Sequence, residues 1–190
     1  SYFTTACIDY PGHLIAPPLA VNCGNPTTAL TNAALMIEYD NDLYVCFGTD
    51  VRKWLDSTSE WSDSLHTLSA IPTSAVVHQG KLYFACGTDF ERFDGTSWTD
   101  GEALSGAAVP SLFLLNWDEK LLILDNTGLL SYSVDEGVTV TANAQSTLPE
   151  GYFNSLFLCR NSSDLIVPHL GTKVGVYELD FDGAAWLDTG

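Results

Sequence analysis

Phe93-Asp94-Gly95-Thr96-Ser97-Trp98 recurs later in the chain as Phe181-Asp182-Gly183-Ala184-Ala185-Trp186, with Phe, Asp, Gly and Trp in the same order and spacing. A repeat flanked by strand-like sequence predicts the architecture of the whole chain. Asp-Gly is a turn signal, because these residues tolerate the positive φ that tight turns between twisted strands require. The two stretches therefore predict equivalent turns in a repeat protein.

Four repeat units extend outward from these turns. Each unit holds four short runs rich in Val, Ile, Leu, Tyr and Phe, separated by polar turns such as 40–42, 79–81 and 94–95. The units align on four leucines, Leu43, Leu82, Leu121 and Leu165. Four antiparallel strands in about 40 residues is the pattern of a β-propeller blade. We therefore predict an all-β, β-propeller-like chain with about four blades of four antiparallel strands.

The repeats divide the chain into an N-terminal segment and a propeller region. The predicted units are 34–73, 74–110, 111–154 and 155–190, and residues 1–33 form an N-terminal arm or strands that complete a ring. The first two runs of each unit are nearly continuously apolar, which predicts strands buried on both faces. We expect four residues near the inner part of the blades: Cys46, Ala85, Leu124 and Val167.

The charge balance excludes some partners. The chain carries 24 acidic and only 7 basic residues, for a net charge of −17. Binding nucleic acid requires a basic patch that neutralises phosphates, so we expect no nucleic-acid partner. No apolar run approaches the roughly 20 residues that cross a bilayer, so we expect no membrane-spanning segment.

The five cysteines show no Cys-x-x-Cys spacing, which argues against a structural zinc site. Cys46 and Cys86 are expected at equivalent strand positions of adjacent units, where we predict buried free thiols. Cys7 and Cys23 could close a loop in an oxidising compartment, and the sequence leaves their disulfide state open.

Enzyme motifs are absent from the sequence. It contains no Gly-rich phosphate loop, no His-Glu-x-x-His and no nucleophile elbow, and its four histidines are scattered. The carboxylates have no distinctive spacing that points to glycoside hydrolysis. We therefore predict that the chain is not an enzyme, has no catalytic residues and needs no cofactor.

Two sets of residues are candidates for ligand binding. Trp61, Trp98 and Trp186 recur at one place in three units, where they either stack on sugar rings or tie the outermost strand to a neighbouring blade, and packing is the simpler interpretation. Asp180 and Asp182 precede Gly183 as carboxylates do in calcium loops, although an exposed Asp-Gly turn is the simpler interpretation.

A family resemblance follows from these repeated elements. Gly87-Thr88-Asp89, Phe93-Asp94-Gly95 and Ser97-Trp98-Thr99-Asp100, echoed by Gly48-Thr49-Asp50 and Glu60-Trp61-Ser62-Asp63, resemble blades in propeller segments of tailed-phage virion proteins and in bacterial surface propellers. The resemblance covers residues 34–190 and carries no catalytic residues across.

The resemblance implies a non-catalytic interaction and assembly module. Its most concrete version is a phage structural protein of the tail or head, located in the virion or outside the cell, whose partners are other structural subunits in an oligomeric assembly. The alternative is a secreted or cell-surface lectin-like propeller that binds surface glycans. The sialidase Asp-box is also similar, but a sialidase needs three converging arginines, which would take Arg52, Arg92 and Arg160, every arginine in the chain. We expect Arg52 and Arg92 at corresponding places on the third strands of two different blades.

Overall fold

The structure is a computed structural model that describes residues 7–10, 13–15, 33–87, 89–102, 111–136, 140–141, 153–180 and 186–189. Within these ranges the chain forms strands, turns and irregular connections, with no helix. Antiparallel sheets of successive strands follow one another along the chain. The prediction of an all-β propeller-like fold is therefore confirmed.

The strands group into one short hairpin and four blades. The hairpin pairs β1 (Cys7–Tyr10) with β2 (His13–Ile15). Blade 1 contains β3 (Ala33–Tyr39), β4 (Asp42–Phe47), β5 (Asp50–Leu55), β6 (Glu60–Trp61) and β7 (His66–Thr67). Blade 2 contains β8 (Ser74–His78), β9 (Lys81–Cys86), β10 (Asp89–Phe93) and β11 (Trp98–Glu102). Blade 3 contains β12 (Ser111–Trp117), β13 (Lys120–Asp125) and β14 (Leu130–Ser133). Blade 4 contains β15 (Phe153–Arg160), β16 (Ile166–Thr172), β17 (Val176–Leu179) and β18 (Trp186–Asp188).

Blade 3 departs from the predicted four strands. Its sheet has three named strands, and an isolated bridge between Tyr132 and Thr141 stands beside β14 where the other blades have a fourth strand. The predicted repeat boundaries and the role of residues 1–33 stay predictions, because most of residues 1–33 lie outside the described ranges.

Tight turns fix the first hairpin of blades 1 to 3. Each turn has two central residues, and both have positive φ: Asp40 and Asn41, Gln79 and Gly80, and Asp118 and Glu119. Two central residues with positive φ form the turn whose twist matches that of the flanking strands. The β10–β11 loop is longer, with four residues, and Gly95 is its one residue with positive φ, at 94°. The repeated Asp-Gly element is thus a hairpin joining the third and fourth strands of blade 2.

Blades pack side by side through their sheet faces. The first strands of successive blades, β3, β8, β12 and β15, contact one another in chain order and therefore form the inner end of each blade. Three apolar clusters fill the boundaries between blades 1 and 2, 2 and 3, and 3 and 4. Each fully buried side chain in them contributes about 1.5–3 kcal/mol of hydrophobic stabilisation.

The second strands are the most deeply buried part of the fold. Cys46, Ala85, Leu124 and Val167, the residues expected near the inner part of the blades, are all 0% exposed. The expectation that the first strands are also buried on both faces is wrong for β3 and β15, whose side chains are mostly exposed or half-buried. The reason is that β3 and β15 belong to the end blades, which have a described neighbour on one side only.

Blade 4 also differs in register from the sequence alignment. Leu165 does not occupy the strand position of the other three leucines, because it lies in the loop before β16 and is 44% exposed. Pairing between β15 and β16 begins at Arg160 and Ile166, so this hairpin has a longer loop. Asn161 closes it, since its side-chain oxygen accepts hydrogen bonds from the backbone N–H groups of Ser163 and Leu165.

Candidate functional site

Two of the three predicted tryptophans pack between blades. Trp98 stacks on Phe93 at 4.6 Å and on His66 of blade 1 at 4.2 Å between ring centroids. Trp186 is 8% exposed and belongs to the cluster between blades 3 and 4. Both side chains therefore face the preceding blade and pack against it, as the packing interpretation predicts.

Trp61 occupies the same position in blade 1, but its surroundings differ. In the strand register, Trp98 is opposite Phe93 and Trp186 is opposite Leu179, in each case at the end of the third strand of the blade. Trp61 is opposite Trp54 of β5 in the corresponding way. None of the other described blades packs on this side of its sheet, although Val45 on the same side is 1% exposed. Trp61 therefore lies on a blade face that resembles the packed faces of blades 2 and 4 but lacks a described partner blade.

The blade-1 face is the side of blade 1 that points away from blade 2. Strand register places its side chains together, because Met36 is opposite Val45, Val45 is opposite Arg52, and alternate residues share a face. Two carboxylates therefore share this face with the one guanidinium, and its members are Met36, Glu38, Leu43, Val45, Phe47, Asp50, Arg52, Trp54 and Trp61. Trp61 makes edge contacts with Trp54 at 5.2 Å and with Phe47 at 5.9 Å.

Met36 and Arg52 differ in exposure on the blade-1 face. Met36 is 59% exposed at the inner end. Arg52 donates from Nη1 to the carbonyl oxygen of Ser62, and its buried Nε has no hydrogen-bond partner in the described residues. This Nε is covered by the chain itself, as is the side chain of Val45 opposite it, which is 1% exposed.

The blade-4 face is the side of blade 4 that points away from blade 3. Phe157, His169, Glu178 and Leu187 stand opposite one another in successive strands. With them the face comprises Ser155, Phe157, His169, Val176, Glu178 and Leu187. Leu187 is 49% exposed and Val176 is 40% exposed. This face thus combines an apolar surface with a carboxylate.

Titratable groups cluster on the blade-4 face as well. The rings of Phe157 and His169 stack at 5.8 Å. His169 Nε2 lies 3.8 Å from Glu178 Oε2, and Glu178 Oε1 accepts a hydrogen bond from Asn161 at 2.9 Å. The carboxylate is therefore held in place on the face.

Hydrogen bonds join the inner parts of adjacent blades. The Tyr39 hydroxyl donates to the carbonyl oxygen of Gly80 at 2.9 Å, across the boundary between blades 1 and 2. The hydroxyl of Ser74 accepts from the backbone N–H of Leu114 at 3.1 Å and donates to its carbonyl oxygen at 3.4 Å, across the boundary between blades 2 and 3. The Trp117 indole then reaches the carbonyl oxygen of Ile166 in blade 4 at 2.9 Å.

Contacts between titratable side chains also connect adjacent blades at these boundaries. Glu91 of blade 2 is 1% exposed and lies 2.7 Å from His66 of blade 1. Its other carboxylate oxygen accepts the Ser69 backbone N–H at 2.6 Å. Between blades 2 and 3, Lys81 forms an ion pair with Glu136, which lowers the pKa of that carboxyl group. These groups stabilise blade packing.

The arginines do not form one cluster. Arg52 lies on the blade-1 face, whereas Arg92 lies between blades 2 and 3 and donates to the carbonyl oxygen of Glu136. The sequence placed Arg52 and Arg92 at corresponding positions, but Arg52 is opposite Val45 and Arg92 is opposite Tyr83, so they face opposite sides of their sheets. Arg160 pairs with Asp164 on the exposed hairpin of blade 4.

The calcium candidates are only partly described. Asp180 follows β17, and Asp182 lies outside the described residues, so the two-carboxylate hypothesis stays a prediction. Among the residues that the structure describes, no three His, Cys, Asp or Glu side chains are grouped so as to hold a metal ion.

The cysteine thiols differ in exposure. Cys46 and Cys86 are buried, as predicted, and neither forms a disulfide with a described residue. They are not at equivalent positions: they lie on facing sides of the boundary between blades 1 and 2. Burial raises the pKa of Cys46 to about 12. Cys159 is exposed, Cys23 lies outside the described residues, and only the strand position of Cys7 is described.

The described ranges contain no helix that is long and apolar enough to cross a membrane.

Comparison with known proteins places the chain among propellers. A family model for the DUF6242 beta propeller domain matches residues 21–167. No curated protein matches the chain. An auxiliary nutrient binding protein from Bacteroides ovatus is 14% identical with a TM-score of 0.61, and the match covers 83% of this chain and 47% of that one.

Two further solved structures come from bacterial surfaces. The extracellular domain of a protein described as a hybrid two-component system of B. thetaiotaomicron is 11% identical, with a TM-score of 0.62 over 84% of this chain and 22% of that one. PorZ, a bacterial surface component of the type-IX secretion system of Porphyromonas gingivalis, is 11% identical, with a TM-score of 0.51 over 78% of this chain and 20% of that one. The chain therefore spans less than half the length of each of these proteins.

These comparisons support the bacterial surface part of the predicted resemblance. The neighbours include surface and extracellular propellers, which agrees with the expected extracellular location. The virion role gains no support from them.

Sequence reasoning had singled out the three tryptophans but missed the two end-blade faces. The signal was present in the repeat itself, because Trp61 belongs to the first of the four units, whereas Trp98 and Trp186 face the unit before their own.

Proposed function

Because the chain belongs to the family of DUF6242 β-propeller domains, we propose that it is a non-catalytic binding module of a bacterial surface or extracellular propeller. It binds protein through the blade-1 face and the blade-4 face. The partner contributes a sheet or loop surface that covers these faces as neighbouring blades cover the internal ones.

The position of Trp61 carries this proposal. At the equivalent position Trp98 and Trp186 are packed against the preceding blade, and Trp61 has an aromatic neighbourhood of the same kind without a described blade beside it. Tryptophan and arginine are enriched among the residues that contribute most to protein binding. The blade-1 face thus has the residue types that are typical of the centre of a protein interface, in Trp61, Trp54 and Arg52.

The chemistry of the described charged groups also supports binding over catalysis. The His66–Glu91 contact and the Lys81–Glu136 ion pair lie at blade boundaries, where they hold neighbouring sheets together. A catalytic site needs titratable groups that converge on an accessible substrate position. These two pairs are instead committed to packing, whereas His169 and Glu178 lie on the blade-4 face.

Lectin activity is the competing proposal, and Trp61 is its best candidate site. Trp98 and Trp186 are engaged in packing, which leaves the Trp61–Trp54 pair as the aromatic surface that a sugar ring could reach. A glycan array separates the two proposals, because a lectin binds specific glycans and loses them in Trp61→Ala. The protein-binding module binds none. Turnover of fluorogenic glycosides would contradict the non-catalytic proposal.

Photo-cross-linking in the bacterium that makes the protein tests the binding surface. Met36 on the blade-1 face is replaced by p-benzoylphenylalanine, and Ile71 is replaced in a matched control, since both side chains are 59% exposed. We expect a protein cross-link, identified by peptide mass, at position 36 and not at position 71. Equal cross-linking at both positions, or none at position 36, would contradict the proposed function.

A further inference from the structure

We propose that the tip of the β15–β16 hairpin, together with Trp117, binds a basic segment of a partner protein. This surface, which we call the hairpin tip, comprises Trp117, Leu158, Leu165 and Ile166. It lies apart from the blade-1 face and the blade-4 face. The hairpin tip is therefore additional to the two faces of the proposed function and does not depend on them.

The β15–β16 hairpin has a longer loop than the first hairpins of the other blades. Two residues separate the paired strands in blades 1 to 3, whereas five residues, 161–165, separate β15 from β16. Leu158, Leu165 and Ile166 are 40%, 44% and 53% exposed. Three large aliphatic side chains of one hairpin therefore lie in solvent, and exposed apolar groups that lie together mark interaction sites.

Strand register and a hydrogen bond bring Leu158, Ile166 and Trp117 together. Leu158 points to the same side of β15 as Leu156, which packs in the cluster between blades 3 and 4. Ile166 is on this side as well, because it is opposite Arg160. The Trp117 indole donates to the carbonyl oxygen of Ile166 at 2.9 Å. The exposed side chains therefore continue the apolar boundary between blades 3 and 4 out to solvent.

Hydrogen bonds hold the loop of the hairpin tip in place. The side-chain oxygen of Asn161 accepts from the backbone N–H groups of Ser163 and Leu165, and its own backbone N–H donates to the carbonyl oxygen of Leu165 at 2.9 Å. Arg160 donates from Nη1 to Asp164 Oδ1 at 3.0 Å and to its carbonyl oxygen at 2.9 Å. A loop that is already ordered loses little conformational entropy on binding, which favours affinity.

The charges at this end of the blades indicate which partner fits. The turn between the first two strands and the turn between the last two strands lie at the same end of each antiparallel sheet. Four basic side chains near these turns each pair with a carboxylate: Lys53 with Asp42, Lys81 with Glu136, Lys120 with Asp118, and Arg160 with Asp164. The exposed carboxylates outside these pairs are Asp40, Asp56, Asp94 and Glu119.

A protein segment with lysine or arginine beside apolar side chains complements this surface. Its apolar side chains cover the hairpin tip, and its cations meet carboxylates such as Glu119, which lies two residues after Trp117. Anionic lipid head groups and nucleic-acid phosphates would instead face like charges. Charge complementarity therefore favours a basic protein segment as the occupant.

Selection from a yeast-displayed library of short random peptides tests the proposal. The biotinylated whole chain is the bait, and enriched peptides are synthesised with fluorescein for anisotropy titrations. Leu165→Ser combined with Ile166→Ser removes apolar groups from an exposed loop. Ile71→Ser is the matched control at the opposite end of the blades, since Ile71 is 59% exposed. Circular dichroism checks that both variants are folded.

We expect enriched peptides that combine aliphatic or aromatic residues with lysine or arginine. Their Kd should rise about tenfold in the Leu165→Ser, Ile166→Ser variant and stay unchanged in Ile71→Ser. Glu119→Gln should weaken binding about threefold at low salt, whereas Asp63→Asn, at the opposite end, should not.

Absence of enriched peptides, enrichment of peptides without lysine or arginine, or affinity that the Leu165→Ser, Ile166→Ser variant retains would overturn the proposal. So would flotation of the chain with phosphatidylcholine vesicles that this variant abolishes, because the hairpin tip would then bind a lipid surface. These variants leave Met36 and Trp61 in place, so the cross-link at position 36 tests the proposed function separately.

Discussion

The imidazole of His66 stacks on the indole of Trp98 across the boundary between blades 1 and 2, with ring centroids 4.2 Å apart and planes 10° from parallel. The same imidazole lies 2.7 Å from the buried carboxylate of Glu91. Blade 1 thus supplies a ring that covers one side of Trp98, while Phe93 of its own blade covers another part. Trp98 is a structural residue of the boundary.

Replacing Trp98 should therefore destabilise the fold. Trp98→Ala removes the stacking partner of His66 and Phe93 and leaves a cavity, so the free energy of unfolding should fall by about 3 kcal/mol. Trp61→Ala is the matched control on the blade-1 face and should cost the monomer about 1 kcal/mol or less. Urea unfolding followed by circular dichroism measures both values. A larger loss in Trp61→Ala than in Trp98→Ala would contradict the packing assignment.

Gly128 should tolerate a side chain less well than Gly48. Both have positive φ, at 89° and 63°, but a Cβ on Gly128 would overlap the ring of Phe153 in blade 4, whereas nothing lies within 4 Å of a Cβ on Gly48. Gly48→Ala should cost about 1 kcal/mol from backbone strain alone, and Gly128→Ala about 2 kcal/mol or more. Thermal unfolding compares them. Equal losses would mean that Gly128 does not approach blade 4 closely.

The thiols should react in the order of their exposure. In a variant with Cys7 and Cys23 replaced by Ser, iodoacetamide at pH 8 should label Cys159 in the native protein and leave Cys46 and Cys86 unmodified. Burial raises the pKa of Cys46 to about 12, so little thiolate forms, and the side chain is also inaccessible. Intact mass spectrometry counts the adducts, and denaturant should expose all remaining thiols. Rapid native labelling of Cys46 would contradict the packing of blades 1 and 2.

Asp94 should make stability depend on pH in the acid range. Backbone N–H groups of Ser97 and Thr96 hydrogen-bond its carboxylate at 2.7 and 2.8 Å and lower its pKa from the ordinary 3.8. A lowered folded pKa gives stability that is present above the unfolded pKa and is lost as the pH falls through the folded value. The stability difference between wild type and Asp94→Ala should be constant from about pH 7 to pH 5 and shrink below about pH 4.

Asp56→Ala, in the turn between the third and fourth strands of blade 1, is the control for Asp94→Ala. Chemical unfolding at a series of pH values measures both variants against wild type. A difference for Asp94→Ala that grows on acidification would have the wrong sign for a carboxylate held by backbone N–H groups.

Local chemistry made the blade architecture predictable from the sequence. The turns at Asp40-Asn41 and Gln79-Gly80 were predictable because few residues adopt two consecutive positive φ angles. Burial of Ala85 and Leu124 followed from continuous apolar runs. These features depend on neighbours in the chain, which the sequence specifies directly.

Features that depend on which blade lies next to which were harder to predict. The longer β15–β16 hairpin shifts the register of blade 4, and its loop is closed by the side chain of Asn161, which an alignment on Leu165 does not detect. Arg52 and Arg92 differ by one strand position and therefore point to opposite sides of their blades. Trp61 has the sequence signature of a packed residue, and only the arrangement of blades shows that its face is one of the two ends.

Photo-cross-linking in the bacterium that makes the protein tests most directly whether the blade-1 face binds protein. p-Benzoylphenylalanine at position 36 should capture a protein, and the same group at the equally exposed position 71 should not. Equal capture from both positions, or none from position 36, would contradict the claim.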